Sequence, residues 1–206
     1  PLSAFAAEEA PAYGFGEVGG VFGGPTIERA LDWFAAFHAA RLALGAPAVL
    51  EAQGEAAFTA SAGAFTLAAK PDRIDRLASG EAAVFDYKSG TIPSPAEMEK
   101  FRVQAPLTAL IVERGGFAAL GAARVASFHY LKTLNRKEAR NDTGAEGAAA
   151  QEMLRRIEDG LLRWIDAFDD PATPYLSQPR PQFVDQYADY DHLARRREWS
   201  LGDSEA

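Results

Sequence analysis

Between residues 49 and 88 the chain is cut into short apolar pieces, and from Pro95 its period changes. The pieces 49–59 (VLEAQGEAAFT), 64–70 (AFTLAAK), 72–77 (DRIDRL) and 82–88 (AAVFDYK) are bounded by Gly, Ser or Pro turn signals, the pattern of an antiparallel meander. After the loop SGTIPSP, residues 95–114 take up helical period, with Phe101, Gln104, Thr108 and Ile111 on one face. A helix also precedes the strands. From Pro25, a residue suited to a first helical turn, Ile27, Leu31, Phe34 and His38 share a stripe, and Gly45 with Pro47 ends it. Together these predict a mixed α/β core in which helices near 25–44 and 95–114 flank a hairpin from about 64 to 88.

The rest of the chain reads more simply. A strand is expected near 122–132 (AARVASFHYLK), then a mobile polar loop over 135–149, then a long helix from about 150 to 169 with Met153, Ile157, Leu161, Ile165 and Phe168 as its buried stripe. Residues 1–24 are an Ala-, Gly- and Pro-rich irregular lead-in, residues 25–170 the core, and residues 171–206 a tail that packs on the core or on a partner. The tail aromatics Phe183, Tyr187, Tyr190 and Trp199 are its packing residues. Arg195, Arg196 and Arg197 read as a solvated face.

Composition removes several kinds of chemistry. Absence of cysteine excludes disulfides, thiolate zinc sites, iron–sulfur clusters and cysteine nucleophiles. Three histidines leave little for a histidine-rich metal site. A net charge of −8 argues against binding nucleic acid by bulk electrostatics, yet a carboxylate cluster holding a cation inverts its own local sign. No apolar run reaches the roughly 20 residues of a membrane span and no secretory signal leads the chain, so no membrane and a cytoplasmic location are expected. A first residue of proline, with no initiator methionine, gives the expectation of a longer protein whose N-terminal part is a partner of this domain.

Chemistry concentrates in two short motifs. Asp86 and Lys88 lie one residue apart in a strand, so they share a face and Tyr87 takes the other. One hairpin earlier stands DRID, which lets Asp72 come beside Asp86 across adjacent strands. Two carboxylates and the Tyr87 carbonyl form a hard oxygen site suited to Mg²⁺. Lys88 would orient an attacking water or stabilise charge on a phosphate. Asp75 falls on the face opposite Asp72 and reads as structural, paired with Arg73 or Arg76. His38 reads as a core-edge residue, and Glu51 as a candidate to support the cluster from the first strand.

DRIDRLASGEAAVFDYKSG resembles the RecB-like nuclease branch of the PD-(D/E)XK superfamily, whose hairpin runs G-R-I-D-R-I-D and then D-Y-K-T-G. QAPLTALIVERGGF is similar to that branch's glutamine motif, and DYDHLARRREWS resembles the C-terminus of alphaproteobacterial AddB-type subunits. The resemblance covers roughly residues 50–200. It implies a restriction-endonuclease-like mixed β-sheet core flanked by helices, and a DNA exonuclease activity dependent on Mg²⁺ or Mn²⁺. Asp72 and Asp86 take the place of the metal-binding acids, Lys88 of the catalytic lysine and Gln104 of the ordering glutamine. DNA and an AddA-type helicase–nuclease subunit are the implied partners, in processing double-strand breaks for recombinational repair. The alternative is a catalytically inactive nuclease-fold module for DNA binding or scaffolding.

The chain departs from that pattern in three places. Ala69-Lys70-Pro71 stand where the family often has glycine before the first Asp. The upstream G-x-x-x-H helix motif has no counterpart, which puts one metal ligand in doubt. The iron–sulfur cluster of some AddB-type domains is excluded by the lack of cysteine.

Overall fold

The computed structural model describes residues 17–133 and 142–175. Helix α1 (Glu17–Leu42) leads into β1 (Gly45–Leu50), the hairpin β2 (Gly54–Ala60) and β3 (Gly63–Ala69), and then β4 (Arg73–Leu77) and β5 (Ala82–Lys88). Two short helices, α2 (Pro95–Lys100) and α3 (Gln104–Glu113), carry the chain to β6 (Val125–Lys132), and β7 (Asp142–Glu146) runs into α4 (Gly147–Asp169). The chain divides into two compact units, residues 1–166 and 167–206. In the second, the described residues end with the Phe168 and Tyr175 rings 4.8 Å apart. The tail aromatics and arginines named above lie outside the described residues.

The main sheet has the order β1-β4-β5-β6-β7. Its pairs are antiparallel except β5 with β6, which is parallel. A parallel neighbour requires a crossover, and α2 with α3 supplies it. β5 is buried from Ala82 through Asp86 because both faces of the sheet are covered. On one face Ile74, Val84, Val125 and Phe128 pack with α3 and with Leu154 and Ile157 of α4. On the other, Ala83, Phe85 and Leu131 pack with Trp33 and Phe37 of α1. Helix α3 is apolar nearly all round because it contacts both the sheet and the β2–β3 hairpin. Gly54 and Gly116 permit that sandwich: a Cβ on Gly54 would come within 2.3 Å of the Phe117 ring, and one on Gly116 within 2.3 Å of the Glu55 carbonyl.

The expected α/β core is present, with four differences of detail. The strand block is not one meander. Piece 49–59 breaks at Glu51, whose φ of 48° turns the chain, and β2 with β3 leaves the main sheet. Ala56 and Phe58 bury against the α3 side of the core, and only β4–β5 remains of the expected 64–88 hairpin. Alternation reports which side chains are buried, not against which layer.

Helix α1 begins at Glu17 rather than Pro25, in a Gly-rich stretch whose helix propensity is too weak to announce it. Gly45 and Pro47 belong to edge strand β1, where Pro47 borders a bulge.

The single helix expected over 95–114 is two. Pro106 lacks the N–H that would bond Arg102, and its ring would clash with that carbonyl, so a helix cannot continue from Arg102 into this segment, whereas Pro106 is tolerated in the first turn of α3. α2 is instead sealed by a capping box between Ser94 and Glu97. Ser94→Ala is expected to lower stability by about 1 kcal/mol in a chemical denaturation series, with an unchanged denaturant slope.

Part of the expected loop over 135–149 is the edge strand β7, and α4 starts at Gly147. A Cβ at Gly144 would stand 2.4 Å from both His129 Nδ1 and the Phe128 carbonyl. The glycine that reads as a loop residue is what lets this strand approach. In α4 the buried residues are Ala150, Leu154 and Ile157, whereas Phe168 is exposed. No described helix is long and apolar enough to cross a membrane.

Candidate active site

Alternation along β5 divides its chemistry between two faces. Phe85 and Tyr87 turn toward α1, with ring centroids 5.4 Å from Phe37 and 5.7 Å from Phe34 respectively. Asp86 and Lys88 turn the other way, and Lys88 Nζ lies 2.8 Å from Asp86 Oδ2. The same ammonium donates to Gln104 Oε1 at 3.1 Å. Gln104 is the first residue of α3, exposed, so this contact is made at the rim of the core.

Asp72 reaches the same place from the neighbouring strand. β4 and β5 pair from Arg73 with Phe85 onward, and Asp72 stands one residue before that pair. Its Oδ2 accepts the Tyr87 backbone N–H at 2.6 Å. The structure thus brings Asp72, Asp86, Lys88 and Gln104 together at one end of the β4–β5 pair and the start of α3. The Lys88 carbonyl is held in turn by the Thr133 N–H at 3.0 Å.

Electrostatically the centre is Asp86, whose side chain is only 6% exposed. Burial pushes its carboxyl above the usual carboxylate range, Lys88 pulls against that shift, and the charge of Asp72 adds to it. Asp86 Oδ2 has the Lys88 ammonium, 2.8 Å away, as its partner, and its second lone pair meets no other donor among the described residues. A buried carboxylate oxygen with a free lone pair beside a second carboxylate fits a hard cation. Among the described residues no three His, Asp or Glu side chains gather to hold a metal ion, and a cation here would have only these two acids as side-chain ligands. Mg²⁺ suits such a pair, because it keeps several waters and takes only one or two carboxylates.

A family model of the PD-(D/E)XK nuclease superfamily matches residues 21–182. The chain belongs to that superfamily. Its five-stranded mixed sheet flanked by helices is the restriction-endonuclease-like fold. No curated protein matches the chain. Nucleases of this superfamily usually use divalent metals, and the fit of Asp72 and Asp86 to a cation is of that kind.

Three further residues weighed from the sequence lie elsewhere. Asp75 is fully buried on the α1 face, where Arg73 Nη2 donates to it at 3.1 Å and Arg41 Nε at 3.0 Å. The expected pairing with Arg73 is present, and Arg41 joins it. His38 belongs to this network, accepting from Arg73 Nη1 at 3.0 Å. Glu51 turns its carboxylate to Lys70, 2.9 Å away, and gives the site only its backbone N–H, which donates to the Asp72 carbonyl at 3.3 Å.

Tyr130 has no place in the sequence argument, yet it pairs in register with Asp86 on β6. Burial pushes its phenol up to about 12, so it stays protonated through the working range. Its signal is visible in FHYLK: a tyrosine at an inward strand position must find a partner for its hydroxyl.

Proposed function

We propose that this chain is the Mg²⁺-dependent DNA exonuclease domain of an AddAB/RecBCD-type helicase–nuclease, processing double-strand breaks for recombinational repair in the cytoplasm. The observation that carries the proposal is the Lys88 ammonium set between Asp86 and Gln104, with Asp72 just ahead of the adjoining strand. Asp72, Asp86 and the Tyr87 carbonyl would hold the cation, which when bound supplies charge to the scissile phosphate and acidity to a water. Lys88 stabilises charge developing on the phosphate oxygens or orients the attacking water. Gln104 fixes the amine that does so. Acidic overall, the domain takes its DNA from a basic path supplied by an AddA-type subunit. Neither a membrane nor an iron–sulfur cluster enters this reading, the second because cysteine is absent.

The test uses the intact parent protein with its helicase partner. Linear duplex DNA is expected to be degraded from its ends in Mg²⁺ or Mn²⁺, a covalently closed circle to survive, and chelation to stop the reaction. Calorimetric titration of either cation should report a site that Asp86→Ala abolishes. No cleavage and no heat of binding would leave the domain a DNA-binding or scaffolding module.

A further inference from the structure

The break between α2 and α3 is closed by a side chain from β6. Ala105, in the first turn of α3, has a backbone N–H with no carbonyl of its own helix to meet, and Val103 at the cap makes no side-chain hydrogen bond. The Tyr130 hydroxyl accepts that N–H at 3.0 Å. It donates in turn to the carbonyl of Arg102, the group Pro106 cannot serve. One phenol therefore ties the chain on both sides of Gln104. The same ring is 1% exposed and lies 5.9 Å from Lys88 Nζ, at cation–π range.

We propose that Tyr130 is a positioning residue: its hydroxyl fixes the first turn of α3 so that Gln104 meets Lys88, and its ring steadies the ammonium beside Asp86. The catalytic half of this rests on the nuclease reading above; the geometric half does not. Without the hydroxyl, the first turn of an uncapped helix frays, and Gln104 goes with it. Lys88 then samples the rotamers of a flexible four-carbon stem, and productive geometry is lost without loss of the residue itself.

Tyr130→Phe keeps the ring and the core volume and removes only the hydroxyl. In the parent protein, single-turnover cleavage of linear duplex is compared for wild type, Tyr130→Phe, Gln104→Ala and the double variant. The Ala105 amide is followed by hydrogen exchange, and Lys88 by its reductive methylation rate against pH. Tyr130→Phe is expected to slow cleavage about tenfold with unchanged DNA affinity, and to speed Ala105 exchange about tenfold. The double variant should be no slower than Gln104→Ala alone, because both changes break one contact. Losses that multiply, or an Ala105 amide that exchanges as in wild type, overturn the proposal.

Methylation separates this proposal from the nuclease reading. A wild type that cuts no DNA with either cation removes the nuclease reading, and faster methylation of Lys88 in Tyr130→Phe still establishes the positioning. Gln104 is exposed, so Gln104→Ala leaves the core intact and must also expose the amine. Methylation unchanged in that variant overturns the proposal even if Tyr130→Phe does not fold.

Discussion

Lys88→Ala is expected to slow single-turnover cleavage of linear duplex DNA by about 100-fold or more while ATP-driven unwinding continues. The amine acts on charge that exists only as the phosphodiester is attacked, so its loss falls on the chemical step and not on DNA binding. Lys88 is 31% exposed and contributes little to the core, so the fold survives its truncation. A second consequence is separable. Lys88 holds the Asp86 carboxyl down against burial, so its removal moves that carboxyl further up and shifts the acid limb of cation binding to higher pH. Lys88→Arg restores the charge but brings a planar fork in place of a compact ammonium, and should recover the pH limb better than the rate. Cleavage undiminished in Lys88→Ala would put the chemistry at another site.

How much of this was legible in the sequence follows from the range over which each signal acts. The Asp86–Lys88 pair obeys strand alternation, a property of three consecutive residues, and the two side chains share a face as expected. Asp72 needed only the next strand, and the β4–β5 pairing delivers it. Gln104 enters through the resemblance of QAPLTALIVERGGF to the family's glutamine motif, although the helix expected for it is too long. Its contact with Lys88 depends on where α3 starts, and Pro106 together with Tyr130 determines that start.

What stayed hidden was decided by contacts between distant segments. Nothing local says that β1 passes over the β2–β3 hairpin to pair with β4. The polar piece DTGAE forms β7 only because β6 offers it a ladder. Alternation puts Asp75 on the face opposite Asp72 with a partner such as Arg73, but its second partner, Arg41, comes from α1, 34 residues away, and no local pattern announces it.

Asp86→Asn should abolish cation binding and cleavage yet raise the melting temperature measured in chelator at neutral pH. Burial holds the Asp86 carboxyl above its ordinary range in the folded chain, so folded protein keeps this proton through a window in which the unfolded chain has lost it. The stability associated with the group is thus fully present below that window and is lost as pH rises through the folded pKa. At neutral pH the wild type bears an ionised carboxylate that the fold disfavours, and asparagine, nearly the same shape, removes the charge. Lys88 loses its partner but can reach water, so the exchange favours the variant. The advantage should shrink toward acid pH, where the wild-type carboxyl is itself neutral. Divalent cation reverses the order: binding to the native state alone stabilises wild type by about 2.7 kcal/mol at a concentration 100-fold above Kd, and leaves the variant unmoved. A cation-dependent rise in the melting temperature of Asp86→Asn would show that the ion sits elsewhere. A variant less stable than wild type in chelator at neutral pH would show that the Lys88 ion pair outweighs the burial of the charge, and the site would then be built for stability before it is built for metal.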